Sequence, residues 1–488
     1  MPQETLTPLT LYRPEVLMLA PESGEDANTL SLVAQLLELG VAVELDERWR
    51  LPVRPPRDLS AYKVCLFPDT ARAAYDRDLD AFRRGGGFLP YYKYYPVMAG
   101  PSSANVHYKF FESFGRDAYC YHAANCVLEG GVRAANPDFA RALEARPNAS
   151  ILADVREQFF RRFAAVEPGK WADWKDPDCI YLYMNLTCAG KSGDAEWLAL
   201  VRRCLENACA SKESLLRGGI EMQLDGVVEA YVLLFGGLLM HAGAKLKDHR
   251  MVEAGAELGM RWFRYYHRRP GLILADFERF VWSEFGYRIG PLYQLARVTG
   301  DPVVLRYADD NTEQIAAATM REDGLWAHWA DAAGARGAAW SRGTSWPIHG
   351  LTKALYALDA SDPRAERIRE ILRRTYDGVM RRQDPASGLW HLVLDEPATR
   401  RESSASAAFV YYHDRLRELD AIDGRHDAAV ERAFAGLKRI CYRHGVASCC
   451  RGTSVGVPDY YRTRPMGFSP ASTHFGGAVA ARVKGRSS

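Results

Sequence analysis

The strongest constraint on how this chain folds is a long succession of helix-forming segments that begins near Ala149. Apolar residues recur there with the 3.6-residue period of helices that bury one face. The pattern predicts helices over Asp154–Val166, Trp197–Ala210, Met222–His241, His249–His267, Phe285–Val298, Val303–Met320, Ser345–Leu358, Pro363–Arg382, Ser404–Leu419, Ala428–His444 and His474–Val483. Strand-like runs are few, and the connections are short and rich in Gly, Asp and Pro, which stop helices and form turns. So many helices overfill a simple bundle. They fit a double-layered ring, the six-hairpin (α/α) barrel, in which inner helix ends and their loops line one central cleft.

The chain ahead of this stretch has a different character. Glu15–Ala20, Val41–Leu45, Lys63–Phe67 and Phe88–Tyr92 read as short strands, with helical periodicity at Asn28–Leu39 and Arg77–Arg84 between them. Strands alternating with helices predict a parallel, doubly wound sheet. The expected division is therefore a smaller α/β domain over residues 1–148 and a mainly α barrel over residues 149–488. Gly85-Gly86-Gly87 ends a helix instead of opening one, so it reads as a turn and not as a phosphate cradle. A strand ending at Pro68-Asp69, then a helix and a Gly-Gly-strand segment, resembles a glutamine-amidotransferase-like domain. No cysteine stands in a Gly-rich strand-to-helix elbow, which implies that this domain is non-catalytic.

Composition excludes several function classes. Lys+Arg 63 against Asp+Glu 61 leaves a net charge of +2, so no bulk field points to nucleic acid or an anionic membrane. The longest apolar stretch, Val227–Met240, is interrupted by Glu229 and is too short to span a bilayer. Met1–Tyr12 lacks the basic start and apolar stretch of a secretory signal, so a cytoplasmic location is expected. The 10 cysteines form no zinc-like CxxC pair and no regular framework, so reduced thiols are the default. The 11 Trp and 25 Tyr are a weak pointer toward a sugar-binding cleft.

Three connecting segments combine indoles with polar groups. They are Asp323-Gly-Leu-Trp-Ala-His-Trp329, Trp340-Ser-Arg-Gly-Thr-Ser-Trp346, and Gln383-Asp-Pro-Ala-Ser-Gly-Leu-Trp390 continuing through Glu402-Ser-Ser-Ala-Ser406. Sugars suit such sites, because their C–H faces stack on Trp while their hydroxyls take directional hydrogen bonds. Arg342 can grip a carboxylate bidentately. Trp326 and Trp390 read more simply as buried anchors of Gly-Leu-Trp turns.

In this order and spacing the segments resemble glycoside hydrolase family 105, and the related family 88, the unsaturated rhamnogalacturonyl and glucuronyl hydrolases. Trp340-x-Arg342-x-x-x-Trp346, Glu402-x-Ser404-Ala-Ser406 and His474-x-Gly476 follow the family pattern, which extends from about Asp225 to the C-terminus. The resemblance implies substrates with a C4=C5 double bond in a terminal uronic acid. A carboxylic acid protonates C4, water adds at C5, and the hemiketal opens to release the aglycone, with no metal or cofactor. The family's acid/base is an aspartate in a Trp-x-Asp-x-x-x-Met-x-x-Pro segment; here that segment is Trp282-Ser-Glu284-Phe-Gly-Tyr-Arg288-Ile-Gly-Pro291. The carboxylate is thus Glu284, and Arg288 replaces the Met. The second family carboxylate falls at Asp225.

The expected site is therefore Glu284 as proton donor and base with Asp225 as its partner. Arg288, His328, Arg342, Glu402, Ser404 and His474 are expected substrate ligands, with Trp282, Trp340 and Trp346 as an aromatic platform. The expected partner is an oligosaccharide with a terminal unsaturated uronic acid, and a homo-oligomer is compatible with this. Other readings stay open: a helix-start charge at Glu284, an N-cap at Asp225, buried structural histidines at 328 and 474. At the level of function, the alternatives are a hydrolase of saturated uronosides on the same barrel and a catalytically inactive sugar-binding protein. Gly452-Thr-Ser454-Val-Gly456 matches a serine-hydrolase string but lacks its strand-turn-helix context.

Overall fold

The computed structural model describes residues 16–19, 33–34, 36–37, 41–46, 59, 62–68, 91–92, 137–164, 176–210, 228–267, 275–276, 280–442, 445–450, 461 and 466–483. Contacts between backbone positions divide the chain into two compact units. One comprises Met1–Pro147, Ala435–Thr453 and Asp459–Pro470; the other comprises Asn148–Phe434, Ser454–Pro458 and Ala471–Ser488.

In the first unit, β1 (Val16–Leu19), β2 (Val43–Asp46), β3 (Val64–Pro68) and β4 (Tyr91–Tyr92) form a sheet of order β2-β1-β3-β4. All three pairings are parallel. Parallel neighbours need a crossover connection between them. The predicted helices at Asn28–Leu39 and Arg77–Arg84 lie largely or wholly outside the described residues. Helix α1 (Pro137–Glu144) also belongs to this unit.

A second sheet in the first unit corrects one expectation. The helix predicted to run to His444 stops at Arg439, and Cys441–Tyr442 pairs antiparallel with Gly445–Cys450, which pairs in turn with Met466–Ser469. Gly445 holds φ 127°, and a Cβ there would sit 2.2 Å from the Ser469 carbonyl oxygen, so only glycine allows this pairing. Every residue of Gly445–Cys450 is buried, so neither face alternates in polarity and the strand leaves no period-two signal.

The second unit is a closed ring of helices. The inner members are α3 (Asp176–Ser192), α5 (Val228–Leu246), α7 (Ile289–Thr299), α9 (Ser341–Ala357), α11 (Ser403–Glu418) and α13 (His474–Arg482). Each packs on the next, and α13 packs back on α3. Ahead of each in sequence runs one outer helix: α2 (Asn148–Phe163), α4 (Ala195–Ala210), α6 (His249–His267), α8 (Pro302–Thr319), α10 (Pro363–Met380) and α12 (Asp427–Arg439). That alternation is the (α/α) barrel. Inner helices are buried all round, as in the unbroken buried run 232–240 of α5, whereas α10 buries the spaced positions Ala365, Ile368, Leu372, Tyr376 and Val379. Two outer helices start alike: Asp301 and Asp362 accept the backbone N–H two residues on, each followed by proline at the first helical position. Among the described residues no helix is long and apolar enough to cross a membrane.

The 3₁₀ turn Ser283–Arg288, which leads into α7, packs closely against α9. A Cβ on Gly350 would lie 1.9 Å from the Gly286 carbonyl oxygen, and one on Gly290 would lie 2.4 Å from Lys353 Cβ. The neighbour of Gly350 is backbone and cannot step aside as a side chain could. Gly350→Ala should therefore destabilise the protein by about 3 kcal/mol or more, beyond the usual overpacking range, because the helices must separate. Chemical denaturation of the variant against wild type measures this; an unchanged midpoint would show that the contact is looser than described.

Candidate functional site

The site lies where the 3₁₀ turn ahead of α7 and the starts of α9 and α11, three neighbouring inner elements, come together. Hydrogen bonds between the connecting segments stitch these ends into one strip. Phe280–Trp282 pairs antiparallel with Trp329–Asp331, and Ser283 N–H donates to the His328 carbonyl at 2.9 Å. His328 N–H donates to Ala338, Ser341 N–H to Leu392, and Glu402 N–H to Trp390. Trp340 and Val393 form a further antiparallel bridge. Residues far apart in sequence are thereby held beside one another by main chain.

The Gly-Leu-Trp repeats are the anchors of this strip. Gly324 and Gly388 have φ 85° and 77°, and a Cβ at either would meet a backbone oxygen of the next outer helix, at Arg374 and Arg432 respectively. Trp326 Nε1 donates to Thr375 Oγ1 at 2.9 Å and Trp390 Nε1 to the Val379 carbonyl at 2.8 Å. Both indoles are fully buried with their N–H groups satisfied, as an anchoring role requires.

Glu284, on the 3₁₀ turn, is part-exposed, and its Oε2 lies 3.7 Å from His328 Nε2. His328 is wholly buried between two indoles, with ring centroids 4.9 Å from Trp282 and 4.6 Å from Trp340. These two tryptophans wall in the imidazole instead of offering open faces to a ligand. Pro347 adds a local reason for the geometry. Having no N–H, it leaves the Gly343 carbonyl of the preceding turn without a helical donor. Ser283 Oγ reaches that carbonyl at 3.5 Å and the His328 carbonyl at 3.2 Å, tying the Glu284 turn to the start of α9.

From Trp340 the chain of contacts continues to the guanidinium. Arg342 lies over the Trp340 ring at 4.8 Å, and its Nη1 is 3.7 Å from Glu402 Oε1. Glu402 is completely buried and is the N-cap of α11, accepting from Ala405 N–H at 2.6 Å and from Ser404 Oγ at 2.8 and 2.9 Å. Its oxygens are thus engaged by protein, and the Ser404 hydroxyl is spent on it. Glu402 and Ser404 hold the start of α11 and steady Arg342, a different placement from direct ligands. Trp346 is half-buried, edge-on to Tyr287 at 5.6 Å, on the same helix one turn below Arg342.

Two expected site residues stand apart. Arg288 is buried, its guanidinium 3.9 Å from the Phe285 ring centroid and 5.8 Å from those of Trp262 and Tyr287. His474, at the start of α13, joins Tyr412, whose hydroxyl is 3.2 Å from His474 Nε2 and also bonds His349 Nδ1. Asp225 lies outside the described residues, as does the Gly452–Gly456 string. Sequence reasoning missed the cluster around His349, which includes Tyr183, His241 and Lys353. Its only sequence signal is the His-x-x-x-Lys spacing that puts residues 349 and 353 on one face of α9. Among the described residues no three His, Cys, Asp or Glu side chains converge as metal ligands would.

Residues 288–474 match Glycosyl Hydrolase Family 88. Glu284 falls just ahead of the matched segment, and Arg342, Glu402 and His474 fall within it. The unsaturated rhamnogalacturonyl hydrolase YesR of Bacillus subtilis strain 168 is 38% identical over 113 residues, 20% of this chain. That alignment spans 32% of YesR, about a third of its length. A family 105 glycoside hydrolase of Clostridium acetobutylicum superposes with a TM-score of 0.55 at 14% identity, over 68% of this chain and 97% of that one. An unsaturated glucuronyl hydrolase specific for heparin superposes with a TM-score of 0.52 at 16% identity, over 68% and 96%. The two superpositions establish a shared fold.

Proposed function

We propose that the barrel hydrolyses oligosaccharides bearing a terminal 4,5-unsaturated uronic acid, by hydration of the enol-ether double bond. The observation that supports this best is the contact chain Glu284–His328–Trp340–Arg342–Glu402 at three inner helix starts. It occurs in a chain whose 288–474 segment matches family 88. Helix N-termini favour anions, and Arg342 adds a fixed positive charge, so a uronate carboxylate is suited to this end of the ring. Glu284 is the acid that protonates C4 and then takes a proton from water adding at C5, with Asp225 as its partner. His328 positions the Glu284 carboxyl, and Trp346, the half-buried indole, faces the sugar. Trp282 and Trp340 shape the wall, and Glu402 and Ser404 fix Arg342. The names of YesR and of the heparin-specific glucuronyl hydrolase agree in the unsaturated uronyl unit and differ in the sugar beyond it. The parallel strands of the first unit agree with a non-catalytic, glutamine-amidotransferase-like α/β domain ahead of the barrel.

The test is a substrate screen with the purified full chain. Lyase-generated unsaturated disaccharides should lose their aglycone, whereas nitrophenyl glucuronide and nitrophenyl galacturonide should remain intact. Turnover of the saturated compounds alone would replace this reading with that of an ordinary uronosidase on the same barrel.

A further inference from the structure

Below the Glu284–Arg342 strip, the interior of the ring carries a cluster of ionisable side chains that the proposed reaction does not use. Lys353 is 5% exposed, and its ammonium lies 4.0 Å from the Tyr183 ring centroid. Among the described residues it forms no ion pair and no hydrogen bond. One turn earlier on α9, His349 is 2% exposed and its Nε2 is buried without a hydrogen-bond partner. A charged or polar group buried without a partner is costly, so two on one helix face are a feature to explain. The tautomers give the second group its sign. Where the Tyr412 hydroxyl donates to His349 Nδ1, its oxygen is free to accept from His474 Nε2–H. His349 Nε2 then carries hydrogen and is a donor with nothing to accept from it.

We propose that this cluster binds a compact oxyanion, a carboxylate, sulfate or phosphate group, between the Lys353 ammonium and the His349 Nε2–H. The groups that face Lys353 are cationic or neutral. Among the described residues they are Tyr183 and Cys179 from α3, His241 from α5, His349 on α9 and His474 from α13. Burial lowers the lysine to about 8, while the nearby Cys179 acts in the opposite direction. An anion would restore the charge that burial disfavours. The proposal does not rest on the hydrolase reading, since binding requires no turnover.

Calorimetric titration of the full chain with sulfate, at constant ionic strength, tests it. Saturable binding of one ion per chain is expected at pH 7, weakened about tenfold at pH 9 as the lysine discharges. Lys353→Met should abolish it and His349→Phe should weaken it, while Arg342→Ala, at the strip above, should retain it. No saturable binding by wild type, or equal affinity at pH 7 and pH 9, would overturn the proposal without any variant. So would loss in Arg342→Ala with retention in Lys353→Met. Phosphate and glucuronate titrations separate the sources: competition with sulfate by glucuronate identifies a sugar carboxylate as a ligand, and competition by phosphate alone identifies an inorganic ion. Competition by neither would mean that the cluster is not a general oxyanion site.

Discussion

Glu284→Gln should lower kcat on an unsaturated uronyl disaccharide by about 10³-fold, the usual loss when a general acid/base is removed. KM should change little, because the amide keeps the size of the carboxyl and much of its hydrogen bonding. Folding should be unaffected, since Glu284 is part-exposed and lies 3.7 Å from His328 without a direct hydrogen bond. Glu284→Asp separates chemistry from position. It restores the carboxylate of the family segment that this chain resembles but withdraws it by about 1 Å, where misplacement costs on the order of 100-fold. A smaller loss than in the Gln variant is expected. If both variants keep wild-type kcat, the acid is another group.

A second large effect is acid sensitivity of the barrel. Burial holds His474 down to about 3, with Lys353 adding to the shift, and holds His349 well below the ordinary imidazole range for the same reasons, joined by His474. Unfolding returns both to about 6.5. Above that value neither state is protonated and the two groups are neutral toward stability. As pH falls from 6.5 toward 3, the unfolded chain binds protons that the folded one refuses, so stability is progressively lost. At pH 5 each fully buried imidazole contributes about 2 kcal/mol of loss, roughly 4 kcal/mol together, against a typical total of 5–15 kcal/mol. His241, also held down to about 3 by burial and then by Lys353 and Lys245, is only half-buried by its own exposure and should contribute less. Denaturant titrations at pH 7.5 and pH 5 measure the loss. A double variant with His349→Gln and His474→Gln should lose several kcal/mol less over the same interval; an equal loss would place the acid sensitivity elsewhere.

The sequence reached the barrel through its amphipathic helices, and the limits of that route are physical. Outer helices such as α10 carry one apolar face, and the expected span Pro363–Arg382 is within two residues of the observed Pro363–Met380. The inner helix α3, Asp176–Ser192, was absent from the expectation. Its side chains from Tyr181 to Ala189 are all buried, so there is no polar face to mark a period. A similar ambiguity affected the site. Glu402 and Trp340 carry ligand-type chemistry, but whether a carboxylate caps a helix or an indole packs on a histidine depends on neighbours distant in sequence. Main-chain bridges such as Trp340–Val393 create those neighbours and leave no side-chain pattern. The Lys353 cluster is likewise a product of ring closure, since α3, α5, α9, α11 and α13 each contribute a side chain.

The central claim is that this barrel hydrates a double bond and does not cleave a glycoside directly. Proton NMR of an unsaturated uronyl disaccharide during turnover by the full chain tests it most directly. The vinyl H4 signal should disappear in step with release of the aglycone, with no free unsaturated monosaccharide at any time. Aglycone release that leaves an unsaturated monosaccharide with its vinyl signal intact, or an unchanged disaccharide at high enzyme concentration, would contradict it.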